Sequence, residues 1–395
     1  MRLLSVYVHI PFCTVKCGYC DFNAYAGMDA LKESYRDTLL AEIRAAAPLL
    51  ESRRVHTVAF GGGTPGEIPS QHVASILDAL RSQAPFEPNA EVSLEANPGT
   101  TGVRQLHGLA RAGVNRVSFG AQSFDPAELR FLDRVHSPEA VAQSVANARS
   151  AGIASVGVDL MYGLPGQAAC SWEATLDRAV GLVPDHVSCY ALTVEDGTML
   201  ARRVERGEVE PLDPDAVAGL YELATDTLAR AGYRQYEISN WSRPGHESRH
   251  NQVYWTDGDY LAFGAGAHGY LDGERYENVA HPRAYIQRLL DAAPGDTRPA
   301  LQRAYRPDTS TAIFDWVTLA LRRLDGFDSA AFDDRFGRSL DSVLAEPLAD
   351  AESAGALTRD GHTVRLTSSG RLLHGEISVR ILAHLTRDSQ LAARK

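Results

Sequence analysis

Apolar and polar positions along the first half of the chain follow two alternating periods. Six short runs rich in β-branched or aromatic residues read as strands: Ser5 to Ile10, Val55 to Phe60, Glu91 to Glu95, Arg116 to Gly120, Ser155 to Met161 and His186 to Leu192. Between them, Leu31 to Leu50, Gln71 to Arg81, Val103 to Ala112, Glu139 to Ala151 and Trp172 to Leu182 carry apolar residues three and four apart, the period of a helix with one buried face. Strand alternating with helix predicts parallel βα units. Six units are too few for an eight-stranded barrel, yet the chemically suggestive residues fall near strand ends: Cys13, Gly61, Glu95, Gln122 and Asp159. In parallel barrels those ends converge on one face, so the pattern predicts a partial (β/α)6 barrel with its site there.

After about residue 285 the pattern changes, and Ala292-Ala293-Pro294-Gly295 with Arg298-Pro299 reads as a linker. The expected division is a barrel domain over residues 1–290 and a smaller domain over 291–395. In the latter, helices are predicted at Thr311 to Arg322, Ser329 to Phe336 and Leu340 to Ser353. A hairpin ending in Val364-Arg365-Leu366-Thr367 and a last helix from Ser369 follow. That order is winged-helix-like. Residues 301–395 hold 13 Lys+Arg and 13 Asp+Glu, so nothing in their balance favours DNA.

Composition narrows the function classes. With 44% hydrophobic and 23% charged residues the chain reads as globular, and its net charge of -11 repels phosphate backbones and anionic lipid, so no nucleic-acid partner is expected. The apolar run before Pro11 is too short for a signal peptide, and no stretch of about 20 apolar residues offers a transmembrane segment. A cytoplasmic protein is therefore expected. Of five cysteines, three lie within eight residues, a layout suited to metal binding rather than to disulfides. Cys170 and Cys189 read as ordinary structural cysteines.

The segment Tyr7-Val8-His9-Ile10-Pro11-Phe12-Cys13-Thr14-Val15-Lys16-Cys17-Gly18-Tyr19-Cys20 has the spacing CxxxCxxC. Three thiolates on one tight loop can each hold one corner of an iron–sulfur cube, leaving a fourth iron open to another ligand. Structural zinc is the alternative, but it calls for four protein ligands and only His9 stands nearby. This loop resembles that of the radical S-adenosylmethionine (SAM) superfamily. More narrowly, Tyr-Val-His-Ile-Pro-Phe-Cys is similar to the branch containing oxygen-independent coproporphyrinogen III oxidase (HemN) and the HemW heme chaperones. The similarity runs from residue 5 to about 285, and more weakly beyond.

The resemblance implies a 4Fe-4S cluster on Cys13, Cys17 and Cys20, with the open iron chelated by SAM. It implies SAM contacts at Tyr7, Tyr19, Gly62, Gly63, Thr64, Glu95, Gln122, Arg134, Asp159, Ala191 and His268. Several of these stand out from the residues themselves. Gly61-Gly62-Gly63-Thr64-Pro65 follows a strand and lets backbone approach a ligand, although a tight turn would use the same residues. Glu95 at a strand end can accept hydrogen bonds from ribose hydroxyls or an ammonium. Asp159, within an apolar strand, needs a partner, and Arg134 is the candidate, either in a cofactor site or as a structural ion pair. Phe263-Gly264-Ala265-Gly266-Ala267-His268 lacks the dinucleotide spacing and reads as a surface turn or, by resemblance, as a loop closing over the cofactor.

Two features separate the chain from the oxidase. Phe22 stands where that enzyme has a further cysteine, and Tyr7 lies only six residues from the start, so the extension covering the porphyrinogen site is not expected. The segment His250-Asn251-Gln252-Val253-Tyr254-Trp255 fits the HNxxYW pattern that the HemW branch associates with heme, with His250 as axial ligand and Tyr254 and Trp255 flanking the macrocycle. From the residues alone, an ordinary exposed histidine before two core aromatics is the favoured reading, and His246 with His250 has the spacing of a metal pair on a helix, against which Pro244 and Gly245 stand. The resemblance implies a heme chaperone that hands heme to acceptor proteins, with transient contact to membrane proteins compatible with that role and no coproporphyrinogen oxidase activity expected. The alternative is an oxidase or another radical-SAM enzyme acting on a tetrapyrrole.

Overall fold

A computed structural model of the chain describes the backbone of residues 1–392 and the side chains of 1–387. Six βα repeats form as the periodicity requires. The strands are β1 (Arg2–Ile10), β2 (Arg53–Gly62), β3 (Phe86–Ala96), β4 (Arg116–Gln122), β5 (Ser155–Tyr162) and β6 (His186–Ala191). They pair in chain order, all parallel. Their outward side chains, among them Leu4, Val6, Val8, Val58, Phe60, Val117, Phe119, Val156 and Val158, are fully buried beneath the helices. The helix after β3 stops at Gly113 because its backbone turns left-handed there (φ +107). The second helix after β4, Pro138–Ser150, starts where the Ser137 hydroxyl accepts from the Ala140 amide, with Pro138 in its first turn.

One strand was not anticipated. Tyr260–Phe263 (β7) pairs parallel to the free edge of β1, with Ser5 opposite Tyr260 and Val8 opposite Phe263. A hairpin of β8 (His268–Leu271) and β9 (Glu274–Asn278) then continues the sheet antiparallel. The partial barrel thus has seven parallel strands rather than six. Further helices lie beyond the last one expected in the barrel, among them Met199–Glu205 and Pro214–Arg230, the latter capped by Asp213.

By internal contacts the chain divides into two units. The first holds residues 1–234, 241–250 and 259–304, and the second collects 235–240, 251–258 and 305–395. Within the second, helices at Thr309–Ala320, Ser329–Phe336 and Leu340–Ser353 enclose a core that includes Trp316, Phe332, Leu344 and Ile381. The hairpin Leu357–Asp360 and Thr363–Leu366 pairs with Phe327–Asp328 in a three-stranded sheet. The expected final helix is two helices, Ser368–Leu372 and His374–Ala392. No helix among the described residues is long and apolar enough to cross a membrane.

Candidate functional site

The loop after β1 is built around backbone hydrogen bonds that leave its thiols outward. Phe12–Cys13 pairs with Tyr25–Ala26, the Cys20 amide donates to the Cys17 carbonyl at 3.1 Å, and the Gly18 amide donates to the Asp133 carboxylate at 3.0 Å. All three thiols are free and partly exposed. Burial pushes the Cys13 thiol up to about 11, against the Thr64 hydroxyl that lies 3.3 Å away and favours the thiolate, so metal binding has to displace a proton. No three His, Cys, Asp or Glu side chains among the described residues gather closely enough to hold one metal ion. The donor set of three soft thiols on one loop fits the separated corners of an iron–sulfur cluster.

Beside the loop, β2 ends in bare backbone. A Cβ at Gly63 would lie 2.6 Å from the Phe12 carbonyl, and Gly62 has a φ of +108, so neither position admits a side chain without strain. A Cβ at Gly61 would meet the Tyr7 hydroxyl at 3.2 Å and a Glu95 carboxylate oxygen at 3.3 Å, which places these groups around one point. The Tyr7 hydroxyl lies 3.1 Å from His9 Nδ1, while His9 Nε2 lies 2.9 Å from the Asn23 carbonyl. A carbonyl only accepts, so Nε2 holds the ring proton and Tyr7 donates to Nδ1.

Glu95 keeps solvent-accessible surface although protein surrounds it densely, the condition of a group lining a concave wall. That surrounding, reinforced by Asp159, raises its carboxyl to about 7 despite a hydrogen bond from the Gly62 amide. Asp159 is also raised by burial, and the hydroxyls of Ser118, at 2.8 Å, and of Ser188 oppose the shift. Arg134 does not ion-pair with Asp159 and only favours its charge from a distance. Its guanidinium instead donates to Asn97 Oδ1 and the Gly120 carbonyl, each at 2.6 Å, and approaches Cys17 Sγ at 3.7 Å.

The remaining expected residues occupy the same carboxyl end of the sheet. Gln122 closes β4 with a left-handed backbone (φ +64), rare for a side chain of its size, at a register shift between β4 and β5. Tyr19 packs with Leu132, Met161 and Leu164. Ala191 ends β6 opposite Tyr162. His268 opens β8 on the loop after β7 and is largely exposed. Glu42 in the helix after the loop was not legible as functional. It accepts from the Gly264 amide, Asn278 and Tyr285, fixing that loop, and burial raises it to about 7. An acidic residue in an amphipathic helix gives no sign of such a role.

His250 stands elsewhere. It is 2% exposed, with Nδ1 2.8 Å from Thr57 Oγ1, and burial lowers it to about 3. Thr57 lies on the amino-terminal half of β2, so His250 is not brought to the cysteine face. Tyr254 and Trp255 belong to the second unit, where the Arg322 guanidinium stacks 4.4 Å from the Trp255 ring centroid. His246 lies 3.2 Å from Ser155 through Nδ1 and 4.0 Å from Asp185 through Nε2.

Comparison with known proteins agrees with this geometry. Residues 7–179 match the Radical SAM superfamily model and residues 310–373 the HemN C-terminal domain. The chain is 40% identical to the heme chaperone HemW of Mycobacterium tuberculosis over 93% of its own length and 92% of that protein's. It is 34% identical to Escherichia coli HemW over 96% and 98%. The solved structure of coproporphyrinogen III oxidase (HemN) from Escherichia coli superimposes with a TM-score of 0.83 at 26% identity, covering 96% of this chain and 90% of that one. The chain belongs to the HemW heme-chaperone family of the radical SAM superfamily.

Proposed function

We propose that the chain is a heme chaperone which binds heme, one 4Fe-4S cluster and SAM, and transfers heme to acceptor proteins. The observation that carries this reading is its match to HemW proteins along nearly the whole chain, beside which the chain has three free cysteines on one loop. Cys13, Cys17 and Cys20 would hold the cluster, which when bound supplies one-electron chemistry at an iron left open to SAM. Glu95, Asp159 and the bare backbone of Gly62 and Gly63 would orient SAM beside it, with Tyr7, Tyr19, Thr64, Gln122, Arg134, Ala191 and His268 as its other contacts. By family resemblance His250, Tyr254 and Trp255 contact heme, which requires the buried His250 ring to become accessible.

The second reading, a coproporphyrinogen III oxidase, is favoured by the likeness to that enzyme's structure. Titrating the anaerobically reconstituted protein with heme, alongside a decarboxylation assay on coproporphyrinogen with SAM and reductant, separates the two. Heme binding near one per chain without carbon dioxide release is expected, and His250→Ala is expected to alter the Soret band while leaving iron content intact. Catalytic carbon dioxide release would transfer the assignment to the oxidase.

A further inference from the structure

Two of the three loop cysteines are joined by an unbroken chain of side chains. Cys13 Sγ lies 3.3 Å from Thr64 Oγ1, Asn97 Nδ2 donates to Thr64 Oγ1 at 3.0 Å, and Arg134 reaches Asn97 Oδ1 at 2.6 Å and Cys17 Sγ at 3.7 Å. The direction of every proton along it follows from Arg134. A guanidinium only donates, so Asn97 turns its carbonyl oxygen toward Arg134 and its amino group toward Thr64. Thr64 Oγ1, already accepting from Asn97, has its own proton left for the Cys13 sulfur. Both ends of the chain therefore present donors to sulfur.

The surroundings hold Asn97 in place. Its backbone carbonyl accepts from the Thr100 amide at 3.4 Å and the Thr100 hydroxyl at 3.0 Å, and Arg134 is fixed independently by the Gly120 carbonyl. A Cβ at Gly120 would stand 3.1 Å from the Arg134 guanidinium, so the strand gives this pair its room.

We propose that Asn97 is a positioning residue which aims the Thr64 hydroxyl at Cys13 and the Arg134 guanidinium at Cys17, raising the reduction potential of the cluster those cysteines hold. This rests on the reading that the loop carries a 4Fe-4S cluster. Reduction adds negative charge to the cluster sulfurs, and hydrogen bonds to cysteine sulfur stabilise that form.

The test is an EPR-monitored redox titration of the reconstituted full chain without SAM, so that no effect on SAM binding enters. Asn97→Leu breaks the chain at its centre, and Thr64→Val removes one donor at nearly constant shape. Each is expected to lower the ratio of reduced to oxidised cluster at a fixed potential by about tenfold, equal to about 59 mV for a one-electron couple. Thr64→Ser, which restores the hydroxyl, is expected to recover the wild-type value. Iron content and thermal unfolding report cluster loading and fold. Unchanged potentials in both variants at full iron content would overturn the proposal, and so would loss of iron from both, which would make the chain a means of retaining the cluster. A wild-type protein that takes up no cluster would instead overturn the underlying reading.

Discussion

The two ends of the barrel handle charge in opposite ways. At the amino end the protein pairs its own charges. Glu91 and Arg116, with side chains 7% and 10% exposed, form an ion pair at 3.0 Å. Arg116 also donates to the carbonyls of His246 and Glu247, and Glu91 accepts from the amides of Arg249 and His250. At the carboxyl end Glu95 accepts from a backbone amide, Asp159 from hydroxyls, and the Arg134 guanidinium meets no carboxylate among the described residues. Desolvation by the surrounding protein raises both of those carboxyls. Charge paired within the protein holds structure, whereas charge left short of a counter-ion is available to a charged ligand.

Three groups of substitutions sharpen that contrast. The largest effect is expected at the loop, where Cys13→Ala, Cys17→Ala or Cys20→Ala removes a thiolate and the loop holds no spare cysteine. Visible absorbance and bound iron after anaerobic reconstitution should fall to background, with the fold retained by circular dichroism. At the other end, Arg116→Leu strands the Glu91 carboxylate in the interior. Breaking a buried pair costs about 3–5 kcal/mol, read as a lower urea midpoint. Glu95→Gln and Asp159→Asn should leave cluster content unchanged and weaken SAM binding by about tenfold to hundredfold, the equivalent of roughly 1.5–3 kcal/mol for a charge-assisted hydrogen bond. Equal SAM affinity in both by equilibrium dialysis would sever the carboxyl end from its assigned ligand.

A smaller effect concerns pH. Glu42 is held at about 7 in the folded chain against an ordinary 4.5, burial outweighing its three donors. The folded state then carries more protons than the unfolded state between those values, so this group's contribution makes stability fall as pH rises through that window. Glu42→Gln should flatten the dependence, visible in thermal midpoints at either end of the window. An unaltered slope would show that the group titrates normally.

Legibility in the sequence followed the range of the interactions involved. The six strands and the helices between them could be read because each is announced by its own period, and the cysteine loop because its ligands are adjacent. Tyr260–Phe263 could not be read in this way, since four residues before a glycine-rich turn carry no period and their partner is β1. Arg134 drew attention as a counter-charge for Asp159, but pairing across strands is decided by geometry, and it turned toward Asn97. Asn97 itself stood two residues after Glu95 in the sequence with nothing to mark it. The burial of His250 depends on Thr57 and Glu91, both far away along the chain.

That long-range pairing of β7 with β1 bears on how the chain is made. β1 leaves the ribosome well before β7, and its apolar residues Leu4, Val6 and Val8 are among the most buried of the described residues. Its second edge has no partner until residues 260–263 have been synthesised. Throughout that interval the nascent barrel offers an open strand edge to any other chain, the condition under which sheets aggregate. A fragment ending after β6 would keep that edge permanently, so the first βα repeats alone are a poor choice for soluble expression.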